Sequence, residues 1–366
     1  MKTALFETKI IHELELEFYA DEYFLTLATP SDYGLVERLS VNAARDEVST
    51  PLTALTIEWL IDRNPAGRGF LVLARSNRDN AIIGYFLFYP KNLMWRAHIS
   101  DSATCLPVFL CVHLYVDINY RRRRIFENMT MFGRRILEST GINFLYTVPN
   151  PRSTPGFLRI GMTKIGALAF FARPVKAPFS LISAICRTSG STATNSRVAE
   201  FDATTINQIS LRPQSSIAQV WGDRRAASLN WRFRDRPDVQ YAVHLVEIED
   251  ETVGYVVLRR MPIMKYSALV ICDFWLEKSP IGALADIVDT ALSDEPGNID
   301  IVIGLAGSMD PKLRQEFWRA GLIPIPQLML PQPVNLIGGK TNSSNDDPSI
   351  GDLSDWALTP YDWDVF

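Results

Sequence analysis

The residues whose types point most directly to chemistry lie at positions 116–126, where four consecutive arginines follow an apolar run. The apolar run predicts a buried strand, and the residues from Ile125 onward have the periodicity of a helix. The start of a helix presents free backbone N–H groups and the positive end of its dipole to an anion. Arginine adds paired hydrogen bonds to phosphoryl oxygens. The pattern predicts a phosphate site, and a solvated basic turn is the equally weighted alternative.

Two side chains at the end of the apolar run are candidates for proton transfer. Strict alternation along a strand would place His113, Tyr115 and Asp117 on one face. Imidazole exchanges protons near neutral pH, so His113 is the better candidate for a general base. The alternative for His113 is a core histidine bonded to a neighbour. Asp117 is the second candidate, and capping the helix or bracing an arginine is its alternative.

Candidate substrate contacts lie in the second half of the chain. Trp231 and Arg232 place an aromatic face beside a cation, which suits a sugar ring or a nucleotide phosphate. The alternative is a core tryptophan with a structural arginine. The acids Asp362 and Asp364 could reach an acceptor amine in a cleft, or they could belong to a tail that docks on the protein.

The composition describes an ordinary globular chain that is long enough for two domains. It has 366 residues, of which 47% are hydrophobic and 21% are charged. A net charge of -4 argues against a nucleic-acid partner. The apolar stretches are too short to span a membrane, and residues 1–17 do not resemble a signal peptide. The four cysteines lack the spacing of a metal site. These features predict a cytoplasmic protein without a metal.

The hydrophobic pattern alternates between strands and helices in both halves. In the first half we predict strands at residues 23–28, 70–74, 82–88, 108–116 and 143–148, and helices at 35–44, from 125 onward and after Pro155. In the second half we predict strands at residues 241–247, 252–259 and 299–305, and helices at 281–292 and 311–320.

The two halves also resemble each other. The tripeptide at residues 83–85 recurs at 253–255 on a predicted hairpin, and residues 157–162 recur at 317–322 at the end of a predicted helix. We therefore predict a duplicated domain. The expected boundaries are a first domain at 1–184, a linker at 185–198, a second domain at 199–337, and a flexible segment with a docking tail at 338–366.

Several motifs, in order, resemble the GNAT superfamily of acyl-CoA N-acyltransferases. The segment Tyr120-Arg121-Arg122-Arg123-Arg124-Ile125-Phe126 is similar to its motif A, R-x-x-G-x-G/A, which leads into a helix that holds the pyrophosphate of acyl-CoA. A bacterial subgroup associated with amino-sugar and surface-polysaccharide pathways has further motifs. They resemble residues 149–157 (Pro-Asn-Pro-Arg-Ser-Thr-Pro-Gly-Phe), 229–233 (Leu-Asn-Trp-Arg-Phe) and 362–366 (Asp-Trp-Asp-Val-Phe).

The resemblance implies a mixed α/β fold with two consecutive GNAT-like domains, each a twisted, largely antiparallel sheet flanked by helices. It also implies an acyl-CoA donor, with a small-molecule acceptor amine on an amino sugar or a nucleotide-linked amino sugar. An aminoacyl donor is a further option, because Fem-type peptidyltransferases also have tandem GNAT domains. The donor-binding residues that it implies are Tyr115, Val116, Arg121, Arg122, Arg123, Arg124, Ile125, Phe126 and Asn150.

The chain departs from the family pattern where Arg122 and Arg124 replace loop glycines. Glycine allows the backbone to approach a pyrophosphate without a side chain in the way. Two interpretations follow: a working N-acyltransferase whose arginines add charge contacts, or a degenerate, non-catalytic protein that binds a ligand or partner. The second half has no such loop, which predicts a non-catalytic partner domain. The sequence does not define an oligomeric state.

Overall fold

A computed structural model describes residue 18 and residues 20–47, 51–98, 100–176, 195–198, 216–294, 298–330, 333–341 and 352–363. The strands are β1 Tyr23–Leu27, β2 Phe70–Ser76, β3 Ile82–Trp95, β4 Thr104–Val116, β5 Phe144–Thr147, β6 Thr163–Ala167, β7 Ala169–Pro174, β8 Asn195–Val198, β9 Val220–Gly222, β10 Ala242–Ile248, β11 Glu251–Ile263, β12 Tyr266–Trp275, β13 Ile301–Ala306, β14 Ile323–Ile325, β15 Asn335–Lys340 and β16 Trp356–Ala357. The helices are α1 Tyr33–Glu47, α2 Ala54–Ile61, α3 Ile125–Ser139, α4 Thr154–Arg159, α5 Ala226–Phe233, α6 Ala283–Ser293 and α7 Pro311–Arg319.

The strands in these ranges form two mixed sheets of nine and seven strands, and most neighbours are antiparallel. The first sheet has the order β1-β2-β3-β4-β5-β15-β6, and in addition β9 pairs with β3 and β16 pairs with β9. The second sheet has the order β14-β7-β13-β12-β11-β10-β8. Each sheet has a parallel pair at an equivalent place, β4 with β5 and β12 with β13. The fold class is the mixed α/β fold with two sheets that the sequence predicts.

The two sheets exchange a strand with each other. Strand β7 comes from the first half of the chain but lies between β13 and β14 of the second sheet. In return, β15 from the second half lies between β5 and β6 of the first sheet. Neither β7 nor β15 is among the strands that the hydrophobic pattern predicts, and their pairing partners depend on tertiary structure.

The apolar residues form three clusters that define the layers of the molecule. One cluster packs α3 against the outer face of the first sheet, and another packs α6 and α7 against the outer face of the second sheet. The third cluster joins the inner faces of both sheets with α1, α2, α5 and the C-terminal segment. The two halves therefore share one continuous core, because the apolar faces of both sheets bury each other.

The C-terminal segment is part of this core. Trp356, Tyr361 and Trp363 are buried, and β16 pairs with β9. At the centre, the guanidinium of Arg224 lies 2.8 Å from Asp362 and 3.1 Å from Asp273, and all three side chains are buried. Burial raises the pKa of Asp273, whereas the charge of Arg224 lowers it.

The described residues also bear on the predicted connections and sites. Most of the predicted linker at 185–198 lies outside them, but its last four residues form β8, which pairs with β10. Strand β15 continues to Lys340, past the predicted start of the flexible segment at residue 338. In the described part of the chain we find no helix long and apolar enough to cross a membrane. The same residues contain no cluster of side chains suited to a metal ion.

Candidate functional site

The arginine loop, residues 117–124, connects β4 to α3 and has a backbone suited to glycine. Arg122 and Arg124 have φ angles of 68° and 62°, both in the left-handed region. Non-glycine residues seldom adopt this conformation, because the Cβ atom crowds the following carbonyl. The loop therefore has glycine-like geometry at the two positions where the resemblance places glycine.

The same loop leaves the start of α3 open to an anion. Arg124 is the N-cap residue, and its side chain makes no capping hydrogen bond. The helix is fifteen residues long, so its N–H groups and dipole attract negative charge. Ile125 is buried, and the ring of Phe126 packs edge-on against Phe157 with 5.0 Å between centroids. These contacts anchor the first turn of α3 in the core.

The four arginine side chains fall into two groups. Arg121 donates to the carbonyl of Val116 at 3.0 Å and lies over the ring of Tyr115. Arg123 pairs with Glu22 and donates to the carbonyl of Asn119. Arg122 and Arg124 are exposed and form no hydrogen bond or salt bridge with the described residues. The first pair shapes the loop, and the second pair is available to an anion.

Side chains from β1 and α3 hold the loop in place. The hydroxyl of Tyr23 donates to the carbonyl of Arg123 at 3.4 Å. The amide of Asn128 in turn donates to the Tyr23 hydroxyl at 2.6 Å. Burial raises the pKa of Tyr23, and the hydrogen bond from Asn128 lowers it. The phenol thus stays protonated and able to donate to the loop.

The strand that leads into the loop contains a β-bulge at His113. The register of β4 against β3 shifts between Tyr85 and Leu87, and His113 has a φ of 51°. Because of this bulge, Val112 and Tyr115 both contact the apolar cluster that joins the inner faces of the two sheets. His113 is the additional residue that the bulge inserts between them. The strict alternation that we predicted from the sequence is therefore wrong here. His113 is half-buried, so it is not a fully buried core histidine.

Beyond this point β4 and β5 diverge. Their parallel pairing includes only Phe109 with Leu145 and Leu110 with Tyr146. The hydroxyl of Thr147 then donates to the carbonyl of Cys111 at 2.8 Å, and β5 ends. Strand β4 continues to Val116 and has no pairing partner on that side among the residues that the structure describes. The separation leaves backbone polar groups at the edge of β4 that an extended ligand could satisfy.

The remaining residues proposed for the donor and for catalysis have defined positions near this edge. Tyr115 is buried. The carboxylate of Asp117 accepts from the backbone N–H and the amide of Asn119 and so caps a short turn. The side-chain oxygen of Asn150 accepts from the backbone N–H groups of Arg152 and Ser153. Its exposed amide nitrogen has no hydrogen bond with the described residues.

Three of the four residues predicted to contact the acceptor are instead buried in the shared core. Trp231 stacks on Trp59 with 4.4 Å between ring centroids, and each indole N–H donates to the carbonyl of the other residue. Arg232 donates to the carbonyl of Trp363, and Asp362 pairs with Arg224. These contacts favour structural roles for Trp231, Arg232 and Asp362. Asp364 lies outside the described residues.

The equivalent place in the second half is closed by a carboxylate of the protein itself. Fully buried Glu316 on α7 accepts from the N–H groups of Gly282 and Leu284, at 2.8 and 3.2 Å. Burial raises its pKa, and these two hydrogen bonds lower it. The start of α6 is thus already occupied by an acceptor. The sequence similarity between residues 157–162 and 317–322 could have revealed this residue, because it aligns Glu316 with Gly156.

In the first half that position cannot hold a carboxylate. A Cβ atom at Gly156 would lie 2.4 Å from the ring of Phe126. Atoms cannot approach this closely, so any larger side chain at residue 156 would displace the ring. Within the described ranges the start of α3 therefore has no capping carboxylate, whereas the start of α6 has one.

Comparisons with known proteins are consistent with this architecture. No protein-family model matches the chain, and no curated protein sequence matches it. Among solved structures, a probable N-acyltransferase from Enterococcus faecalis is 12% identical with a TM-score of 0.61, over 86% of this chain and 72% of its own. A GCN5-related N-acetyltransferase from Anabaena variabilis is 13% identical with a TM-score of 0.58, over 87% and 73%. The N-myristoyltransferase of Saccharomyces cerevisiae, solved with myristoyl-CoA, is 11% identical with a TM-score of 0.60, over 88% and 79%. The chain thus has the GNAT fold.

Proposed function

We propose that the chain is an acyl-CoA-dependent N-acyltransferase that binds the donor pyrophosphate at the arginine loop. The observation that carries this proposal is the glycine-like backbone at Arg122 and Arg124. A loop that had lost contact with a ligand would gain stability by relaxing these two residues out of the left-handed region. Their φ angles, together with the uncapped start of α3, match a cradle for phosphoryl oxygens.

Two further features support a single donor site in the first half. The divergence of β4 and β5 next to the loop provides an open backbone edge along which the extended arm of CoA would lie. In the second half Glu316 occupies the start of α6, so a phosphate would be repelled there. We infer that the second half is a partner domain that completes the fold through β15.

The reaction requires an acceptor amine to attack the thioester carbonyl. A C–N bond forms, the C–S bond breaks, and CoA leaves as the thiolate while the amine loses a proton. His113, half-buried at the bulge three residues before Val116, is the residue that we propose to take that proton. Asp117 caps a turn, which leaves it less suited to this role.

The identity of the acceptor is a separate proposal, which rests on the resemblance to the amino-sugar subgroup. On that basis we propose the amine of an amino sugar or a nucleotide-linked amino sugar. The alternative, a degenerate protein that binds a ligand without catalysis, would bind CoA or a partner but release no thiol. A thiol-release assay with a panel of amino sugars and nucleotide-linked amino sugars separates the two.

The donor site is tested by calorimetric titration of the whole chain with acetyl-CoA. The variant Arg122→Glu with Arg124→Glu should bind at least about tenfold more weakly, since repulsion replaces charge-assisted hydrogen bonds. The matched control replaces Arg38 and Arg135, which are exposed on α1 and α3, with glutamate and changes the net charge equally. Equal loss in both variants, or no binding by the parent chain, would remove the arginine loop as the donor site.

A further inference from the structure

A cavity of about 560 Å³ lies beside the second sheet, and no residue of the arginine loop lines it. Its walls include Ala169 and Phe171 on β7, the strand that comes from the first half of the chain. They also include Pro324 on β14, which pairs with β7. Phe171 packs edge-on against Phe317 of α7 with 4.9 Å between ring centroids. The cavity is therefore a product of the exchange, and its size falls within the range of small-molecule sites.

The lining is mostly apolar but includes three polar side chains, of which Ser354 donates to Asp355 and the other two have no assigned role. Ser308 is only 7% exposed, and its hydroxyl has no hydrogen-bond partner in the described residues. A buried hydroxyl without a partner has a free-energy cost that a ligand could remove. Arg314 is exposed on α7 and forms no salt bridge with the described residues. The cavity thus combines an apolar body with one positive charge and one buried hydroxyl.

Two exposed side chains of the lining are also apolar. Trp318 on α7 is 50% exposed and Ile217 is 46% exposed, and both line the cavity. Exposed apolar surface at the mouth of a cavity is typical of a binding site for an apolar ligand. The positive charge of Arg314 favours a negatively charged ligand, because no described acidic side chain lines the cavity.

We propose that this cavity binds an aliphatic carboxylate such as a fatty acid. The hydrocarbon chain would lie against Phe171, Phe317 and Met309, and the carboxylate would accept hydrogen bonds from Arg314 or Ser308. This site is separate from the donor site and does not depend on acyl transfer.

The test is a calorimetric titration of the whole chain with laurate, and with dodecanol as an uncharged ligand of equal chain length. We expect saturable one-to-one binding of both ligands. Arg314→Gln should weaken laurate binding at least about tenfold, the effect of one charged hydrogen bond, and leave dodecanol binding unchanged. Arg319→Gln, on the same helix but outside the cavity lining, is the matched control and should change neither.

A second variant tests whether the two ligands occupy the cavity itself. Ala169→Trp places an indole in the cavity and should abolish binding of both ligands while acetyl-CoA still binds with the affinity of the parent. If laurate does not bind saturably, or if Arg314→Gln weakens laurate and dodecanol equally, the proposal is wrong. Binding of an apolar peptide in place of laurate would also overturn it. Failure of acetyl-CoA binding alone would count against the donor site and leave this one intact.

Discussion

The replacement of Arg124 by glycine should make the protein more stable and its donor binding weaker. The residue is the N-cap of α3 with φ 62° and ψ 15°. Holding a non-glycine residue in this region costs about 1–2 kcal/mol, and glycine adopts it readily. Glycine also increases the conformational entropy of the unfolded chain, which offsets about 0.4–1 kcal/mol of this gain in stability. The expected net gain in the free energy of unfolding is about 1 kcal/mol.

The same change removes a guanidinium from the donor site. One hydrogen bond to a charged group contributes about 1.5–3 kcal/mol, and each 1.4 kcal/mol is about a tenfold change in affinity. Acetyl-CoA should therefore bind about tenfold to a hundredfold more weakly to Arg124→Gly. Stability is measured by urea unfolding without ligand, and affinity is measured by calorimetry.

The matched control is Arg135→Gly, which makes the same chemical change at an exposed position inside α3. Glycine there should lower the free energy of unfolding by about 1 kcal/mol, because it is a poor helix former. A higher free energy of unfolding for Arg124→Gly together with a lower one for Arg135→Gly would support the left-handed conformation of the loop. Loss of stability at both positions would refute the loop geometry, and tighter CoA binding by Arg124→Gly would favour the degenerate alternative.

Two further predictions concern buried charges. Arg224→Met should lower the free energy of unfolding by about 3–5 kcal/mol, because it leaves Asp273 and Asp362 buried without a counter-charge. The deficit in urea unfolding should grow as pH rises through the raised pKa of Asp273, and a pH-independent deficit would contradict this reasoning. Burial lowers the pKa of His244 below its usual 6.5. As pH falls below 6.5 the unfolded chain binds this proton first, so the free energy of unfolding should fall through the lowered pKa. Unfolding at about pH 7.5 and about pH 5 should show a smaller pH effect in His244→Phe than in the parent, and an equal effect in both would contradict the assignment.

Local features of the fold are readable from the sequence because they depend on neighbouring residues. Helix α3 begins at Ile125 as its periodicity predicts, and α7 covers Pro311–Arg319, close to the predicted 311–320. The strand predicted at residues 108–116 is β4, which begins four residues earlier at Thr104. These segments have strong apolar periods and clear end signals, so tertiary contacts do not override them.

The features that sequence reasoning missed depend on partners far away in the chain. The bulge at His113 follows from the register between β3 and β4, which the composition of β4 alone does not reveal. Trp231 has the residue type of a sugar platform, but its stacking on Trp59 is a contact across more than a hundred residues. The residue type of Arg122 gives no signal for a positive φ, and only the resemblance, which places glycine there, points to this geometry.

The exchange of β7 and β15 also affects how the chain matures on the ribosome. Strands β5 and β6 are synthesised first, and β15, the strand that must lie between them, follows more than a hundred residues later. Until then both strands have an unpaired edge, and such edges recruit other chains. The first sheet is completed only after the strands of the second sheet have been synthesised. A chaperone that shields these edges during translation should therefore raise the yield of native protein, whereas truncation before residue 335 should yield aggregates.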